Sequence, residues 1–420
     1  MTPKVSVIIP TYNCDRYICQ AIDSVLAQTF QDLEIIVMDD GSTDNTRLVL
    51  ERYGDQIRYI YQENQERSVA RNNGIRQSTG EYVAFLDADD VWREDKLARQ
   101  VKVLDRHPEV SLVYAQAAII GGDGAWPRGD EIVAIGWGLA RPARIYNRLA
   151  LRNFIPAPTV MVRRQCFDEV GYFDESLVYV EDWDMCLRVA EKYKVAFVPQ
   201  ILAGYRIANQ GNMLSRLDGY SVQQGIVRIA EKIPAPSAAD SEDLTYLKAK
   251  ALGRAYIRAA CLDYALDHLD DAQRNFSLAV ANDPNLLRDP MSAIRVILEE
   301  GAYFAYGLGA QMDLLEFVRT VFSNLPEAAH TLAIHQPRAI ARAYVALAQR
   351  DYAHYRMSLA RRHLSTALRL DLSCLKEHLF IRTLLNSLLG SKVIRFLRRM
   401  KHRKASRYDH PTGGRQAEPR

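Results

Sequence analysis

Three acidic clusters follow short apolar runs in this chain, and each is built of residue types that can do chemistry. The segment Phe85-Leu86-Asp87-Ala88-Asp89-Asp90 leaves a β-rich run with several carboxylates close together. Crowded carboxylates at a strand end repel one another, and a divalent cation relieves that repulsion. The D-x-D spacing lets one carboxylate, Asp87, reach a ribose hydroxyl while the next, Asp89, holds Mg²⁺ or Mn²⁺ bridging a diphosphate. Acidic turns also occur for purely structural reasons, so the spacing alone does not decide.

Upstream, Pro10-Thr11-Tyr12-Asn13 and Asp39-Asp40-Gly41-Ser42 occupy two further strand ends. A carboxylate there can accept the N3–H of a uracil ring, and Thr11 or backbone amides can meet phosphate or ribose. Taken alone, the second of these is also an ordinary turn followed by a helix cap. Arg71, on a helix near the same crevice, can pair with phosphate or serve only a surface ion pair. Further on, Glu181-Asp182 opens a helix. Acids at that position are favourable for capping alone. Functionally, Asp182 is the candidate general base for an acceptor hydroxyl, with Glu181 as the alternate.

The elements that carry these clusters alternate. Val5–Ile9, Glu34–Met38, Arg58–Tyr61 and Tyr82–Leu86 read as strands, with helical spacing over Arg16–Gln28 and Ser68–Arg76. This β-α-β-α order predicts a mostly parallel sheet covered by helices, with ligands beyond the carboxyl ends of its strands. All three acidic and polar strand ends then face one crevice.

A chain of 420 residues is expected to form more than one domain. The expected division is an α/β domain over 1–215, a transition over 216–245 with a Pro-rich linker, an all-α domain over 246–390 and a basic tail over 391–420. The all-α part contains an internal echo. Ala255-Tyr256, Asp263-Tyr264-Ala265, Ala272, Ala279 and Asp283 recur at one offset as Ala343-Tyr344, Asp351-Tyr352-Ala353, Ala360, Ala367 and Asp371. Two related helical hairpins of tetratricopeptide-like character follow, with small residues where helices approach closely.

Net charge is +3, which gives no reason to expect a nucleic-acid partner. The six cysteines are scattered without a C-x-x-C pair, as expected for buried thiols in a reducing compartment. No apolar run approaches the roughly 18 residues of a membrane helix, and Val5–Ile9 is too short for a secretory signal. The expected location is cytoplasmic. The stretch Lys392–Arg407 is rich in Lys and Arg and has no acid. It is either a solvated helix end or a peripheral contact with an anionic membrane face.

The order and spacing of these blocks resemble the family two inverting glycosyltransferases, whose fold is the GT-A nucleotide-sugar fold. That family shows P-x-Y-N, D-D-G-S-x-D, A-R-N-x-G, L-D-x-D-D and a late E-D. The matching residues here are Pro10–Asn13, Asp39–Asp44, Ala70–Gly74, Leu86–Asp90 and Glu181-Asp182. The resemblance implies a sugar transfer from a nucleotide diphosphate donor, with UDP the expected nucleotide and Mg²⁺ or Mn²⁺ the cofactor. By the same resemblance Asp39, with Asp40, reads the base, and Arg71 lies near the donor. Asp87 and Asp89 serve ribose and metal, and Asp182 is the base. The expected acceptor is a glycan or lipid-linked hydroxyl in polysaccharide, glycolipid or glycoprotein assembly, with the helical domain available to a protein partner. Two departures stand out. Many relatives carry Gly at or beside the position of Glu66, and many carry Tyr-Arg-x-His where this chain has Tyr205-Arg206-Ile207-Ala208. Asn209 or Gln210 would have to supply any third metal ligand there. The competing readings are a sugar nucleotidyltransferase and a non-catalytic scaffold. The first lacks a Gly-rich phosphate loop after the first strand, and the second is disfavoured by the intact acids.

Overall fold

The computed structural model describes residues 2–127, 134–139, 141–206, 219–234, 242–306 and 313–388. Nine strands form one sheet. They are β1 (Val5–Thr11), β2 (Leu33–Asp40), β3 (Arg58–Gln62), β4 (Tyr82–Phe85), β5 (Val91–Trp92), β6 (Val110–Ile120), β7 (Ala134–Ile135), β8 (Met161–Arg163) and β9 (Lys194–Arg206). The helices of this part are α1 (Ile18–Leu26), α2 (Thr46–Leu50), α3 (Glu66–Gln77), α4 (Lys96–Arg106), α5 (Tyr146–Leu149), α6 (Cys166–Val170) and α7 (Glu181–Lys192).

The strand order is β3-β2-β1-β4-β8-β6-β9-β5, with β7 on β6. Strands β1 to β4 pair in parallel, as the alternating pattern predicts. The sheet as a whole is mixed. Strand β8 enters antiparallel between β4 and β6, and β5 and β7 are also antiparallel to their partners. The long parallel pair β6–β9 completes it.

Successive side chains of a strand point to opposite faces, and both faces of this sheet are covered. Val5, Val7 and Ile9 of β1 pack into one apolar cluster with Ile18, Ile22 and Val25 of α1. Ile8 joins a second cluster with Ala70 and Ile75 of α3. Strand β2 divides the same way, with Ile35 and Val37 on the first side and Ile36 and Met38 on the second. Burial on both faces is what makes these strands continuous apolar runs.

The register sets the working edge. Thr11 lies opposite Asp39, and Ile8 opposite Phe85. Everything after Thr11, Asp40 and Phe85 therefore leaves the sheet on one side. Strand β5 pairs with Ala203 and Gly204 near the end of β9, which brings Tyr205 and Arg206 up to the turn after β4.

The expected transition over 216–245 is placed differently by packing. The first compact unit runs on to Leu262 and also takes Arg274–Asn285. The helix Gly219–Lys232, with Ile233 just after it, and the helix starting at Glu242 bury Ile229, Ala230, Ile233, Leu247 and Ala251 in the same cluster as Trp183 and Leu187. Their apolar faces find their partner there. Residues 235–241 of the expected linker and residues 389–420, which include the basic tail over 391–420, lie outside the described residues.

The second compact unit is helical where it is described. Its helices include Leu314–Ser323, Gln336–Ala353, Met357–Leu370 and His378–Leu388. The internal echo has a structural counterpart. His268 N donates to Asp263 O at 2.9 Å and Arg356 N donates to Asp351 O at 2.8 Å. Asp267 and Tyr355, at the same place in each hairpin turn, both have positive φ, 61° and 59°. Ala272, Ala279, Ala360 and Ala367 are all buried.

Candidate active site

A cleft of about 380 Å³ opens at the carboxyl ends of β1, β2 and β4. Pro10, Thr11, Tyr12, Asn13, Asp40, Arg71, Asp87 and Asp89 all line it. Asp39, Glu181 and Asp182 do not. Thr11 is buried, and its Oγ1 has no hydrogen-bond partner among the described residues. A buried hydroxyl without a partner in a cleft wall is ready for a ligand.

The two neighbouring acids of β2 do different jobs. Asp39 Oδ1 accepts from Ser42 N at 2.9 Å, and Oδ2 accepts from Tyr59 Oη at 2.7 Å. Asp39, expected to read the base, does not line the cleft, and both its oxygens accept hydrogen bonds within the fold. Asp40 lies on the other face of β2. Its Oδ1 accepts from Gln62 Nε2 at 2.7 Å and Gln65 N at 2.9 Å. The carboxylate is thereby fixed in the cleft wall.

Asn13 is also committed. In a left-handed conformation, φ 50°, its Oδ1 accepts from Thr43 N at 2.7 Å and its N donates to Ser42 Oγ at 2.9 Å. It ties the loop after β1 to the loop after β2 and lines the cleft. Gly41 makes that second loop possible. Its φ is 82°, and a Cβ there would lie 2.8 Å from Asn64 N.

Arg71 is buried and fully engaged. Nη2 donates to Asp87 Oδ1 at 2.6 Å, and Nη1 donates to Glu181 Oε1. Its guanidinium also stacks 5.5 Å from the Phe173 ring centroid. A phosphate would have to compete with two carboxylates for it, and in this arrangement Arg71 bridges them at the cleft wall. Arg67, one turn earlier on α3, is less buried and also lines the cleft. Its Nε lies 4.0 Å from Glu181 Oε1.

The turn after β4 concentrates negative charge. Burial, then Asp87, push the Asp89 carboxyl up to about 6. Burial, then Asp89, push Asp90 well above its ordinary value. Asp90 Oδ1 accepts from Arg206 N at 2.8 Å, while Oδ2 is buried without a partner among the described residues. Arg206 clamps the turn from behind. Its Nε donates to Asp89 O, Nη1 to Gly122 O at 3.0 Å and Nη2 to Gln20 Oε1 at 2.9 Å. Carboxylates forced toward protonation by one another fit a divalent cation, which favours their charged form. Asn209 and Gln210 lie outside the described residues. Elsewhere, Asp263, His268 and Asp271 each place one ligand atom within 4.8 Å of the others.

Asp182 sits in the first turn of α7 and lines a small pocket rather than the main cleft. The two spaces share Arg71 and Asp87, and the small one adds Phe85, Pro158, Phe173 and Met185. Trp183 N donates to Asp182 Oδ1 at 2.8 Å. Burial, then the neighbouring Glu181 charge, push its carboxyl up to about 6, against the pull of Arg71. A carboxyl in that range can take a proton near neutral pH. Glu181, the alternate base of the sequence reading, is buried and held by Arg71.

Three residues hold the site in ways the sequence did not reveal, although Arg206 stands in the Tyr205-Arg206 segment noted above. Tyr59 holds Asp39, Arg206 holds the acidic turn, and Gln62 holds Asp40. The charged Arg206 at the end of an apolar strand was the one available signal.

A family model described as Glycosyl transferase family 2 matches residues 6–171. An uncharacterised glycosyltransferase of Nostoc is 37% identical over 230 residues, covering 53% of this chain and 70% of that protein. The chain belongs to glycosyl transferase family 2. The amylovoran biosynthesis glycosyltransferase AmsB of Erwinia amylovora is 31% identical over 217 residues, covering 49% of this chain and 70% of AmsB. An uncharacterised glycosyltransferase of Rickettsia prowazekii is 32% identical over 215 residues, 49% of this chain. The chain spans 64% of that relative and 35% of a longer one from Rickettsia felis. Among solved structures, S. aureus TarS 1-349 in complex with UDP-GlcNAc matches with a TM-score of 0.52 at 19% identity, over 80% of this chain and 92% of that one. The likeness is one of fold. This family 2 member has the mixed, helix-covered sheet of the GT-A class, followed by a largely helical region.

Proposed function

We propose that this chain transfers a sugar from a nucleoside diphosphate donor to an acceptor hydroxyl, with inversion at the anomeric carbon. The observation that carries the reading is the sharing of Arg71 and Asp87 between two spaces. One holds Thr11, Asp40 and Asp89; the other holds Asp182. A donor in the first would lie beside Asp87, across which an acceptor hydroxyl would reach toward Asp182, whose own space of about 10 Å³ has room for no more than such a group. Family membership and the UDP-GlcNAc bound by TarS support a UDP-sugar as the donor class.

In this reading Asp40 accepts from the base, Thr11 Oγ1 donates to ribose or phosphate, and Arg67 faces the diphosphate in place of Arg71. Asp182 takes the acceptor proton as the hydroxyl attacks, and the nucleoside diphosphate leaves in a single displacement. A divalent cation held by Asp89 and Asp87 would offset the charge of the leaving diphosphate. Arg71 and Glu181 keep Asp87 and Asp182 in register.

The acceptor class follows the relatives. AmsB serves amylovoran biosynthesis, which favours a growing polysaccharide or its lipid-linked precursor. The paired helical hairpins, tetratricopeptide-like in their repeated turns, suit a protein partner. No helix among the described residues is long and apolar enough to cross a membrane. The basic tail remains the proposed contact with an anionic membrane face, and co-sedimentation with anionic vesicles tests it.

The deciding experiment incubates the protein with a panel of nucleotide sugars and Mn²⁺ or Mg²⁺ and identifies the released product. Free nucleoside diphosphate, lost in Asp89→Ala, is expected. Release of pyrophosphate would replace this reading with nucleotidyl transfer. No turnover of any donor, with no nucleotide binding, would leave a scaffold.

A further inference from the structure

The residue just before the Glu181-Asp182 pair is strained. Val180 has φ 61° and ψ 15°, the left-handed region. A β-branched side chain is a genuine outlier there, and such a conformation persists only where its surroundings impose it. The helix Gly219–Lys232 lies directly against it. A Cβ on Gly225 would stand 2.7 Å from Val180 Cγ2 and 3.2 Å from Tyr179 O. Only a glycine lets the helix backbone come so close.

The same helix grips the surrounding segment twice more. Arg228 Nη1 donates to Ser176 O at 3.2 Å. Lys232 Nζ donates to Asp184 Oδ1 at 2.7 Å and pairs with Asp174. Asp184 is buried and also accepts from Arg188 Nε at 2.8 Å. Residues 225, 228 and 232 share one helix face, and their contacts fall on both sides of Asp182. Tyr179, in the middle, forms part of the cleft wall.

We infer that the helix Gly219–Lys232 is a positioning element for Asp182, acting through the Gly225–Val180 contact and the Lys232–Asp184 pair. It lies outside the matched family segment, residues 6–171. It fixes the backbone that aims the carboxyl into the small pocket, so catalysis depends on a helix that touches neither donor nor acceptor. The effect on rate rests on the proposed role of Asp182; the effect on backbone order does not.

The test uses the full chain with Gly225→Ala, Lys232→Ala, Val180→Gly and the double variant Gly225→Ala/Val180→Gly. UDP release from the preferred UDP-sugar is measured alongside the UDP-induced melting shift and hydrogen exchange of peptides covering residues 174–184. Gly225→Ala is expected to lower kcat about 10- to 100-fold, the scale for small misplacement of a catalytic group. The donor KM and the UDP melting shift should hold. Exchange over 174–184 should accelerate. Adding Val180→Gly removes the clashing Cγ2, so the double variant should recover both protection and most of kcat. Lys232→Ala, which inserts no atoms, should show the same split more weakly and covers the case in which Gly225→Ala fails to fold. Wild-type kcat and exchange in Gly225→Ala and Lys232→Ala would overturn the inference, as would a double variant no better than the single one. If the parent protein turns over no donor, the functional reading fails on its own and hydrogen exchange alone decides this one.

Discussion

Arg71 Nη2 lies 2.6 Å from Asp87 Oδ1, and its other nitrogen holds Glu181. One buried guanidinium thus ties the acidic turn after β4 to the first turn of α7. Removing it would leave the buried Glu181 carboxylate with only the more distant Arg67, 4.0 Å away. Breaking a buried pair on one side costs about 3–5 kcal/mol. Arg71→Ala should therefore unfold at a markedly lower denaturant midpoint. Arg71→Lys should also lose stability, because a single ammonium cannot reproduce the fork that meets two carboxylates. A parent-like midpoint for Arg71→Ala would mean that the bridge is absent in solution.

The pH dependence has two parts. Asp182 is pushed up to about 6, and a general base works only when unprotonated. Transfer should rise with pH through about 6 and level off above it, and Asp182→Asn should lose the rate together with that limb. For stability, the folded-state value lies above the ordinary carboxylate range near 4. The folded protein then holds more protons than the unfolded chain between about 4 and 6, so stability falls as pH rises through that window. Asp89, also pushed up to about 6, acts in the same direction. Without cation or nucleotide, Asp89→Asn and Asp182→Asn should melt higher than the parent at pH 7.5, with the gain gone near pH 4. A gain of equal size at both pH values would assign it to something other than charge.

Much of this arrangement could be read from short stretches of sequence because its causes are local. The alternation of Val5, Val7 and Ile9 against Ile8 gives a strand buried on both faces, and β-α-β order makes the first strands parallel. Their ends then had to share an edge, which places Thr11, Asp40, Asp87 and Asp89 together. The pairing of Arg71 with Glu181 could not be read that way, since the partners are joined only by tertiary packing. The choice between Asp39 and Asp40 depended on which face of β2 meets α1, a fact about sheet covering rather than about the acids. The antiparallel insertion of β8 was equally hidden, because three residues between distant strands carry no topological mark. The same holds for the helix Gly219–Lys232, whose role depends on the backbone conformation of Val180.

Nucleotide binding should separate the two acids of β2. Asp40 lines the cleft and Asp39 does not. In calorimetric titrations with UDP and Mn²⁺, Asp40→Ala should weaken binding about 10-fold or more, the scale of one lost hydrogen bond to a buried group. Asp39→Ala removes the partner of Tyr59 and of Ser42 N. It should cost about 1–3 kcal/mol of stability and change UDP affinity little in the protein that remains folded. Asp89→Ala should keep some UDP binding and lose its dependence on the divalent ion. Unchanged UDP affinity in Asp40→Ala would move the base pocket elsewhere.

Glu66 offers the most direct check on backbone conformation. It opens α3 with φ 72°, and its exposed side chain lines the cleft. A residue with a Cβ pays about 1–2 kcal/mol in the left-handed region, and glycine does not. In an ordinary helical position the preference runs the other way, with alanine favoured over glycine by about 1 kcal/mol. Glu66→Gly and Glu66→Ala remove the same carboxylate, so charge cancels when the two are compared. If Glu66 holds its left-handed conformation in solution, the glycine variant should be the more stable by denaturant midpoint, reversing the usual helix order. Glu66→Gln keeps the Cβ and removes only the charge. It should tighten UDP binding as the other two do, because a carboxylate beside the diphosphate is repulsive, while leaving the strain in place. An alanine variant more stable than the glycine one would show that Glu66 is not held left-handed in solution.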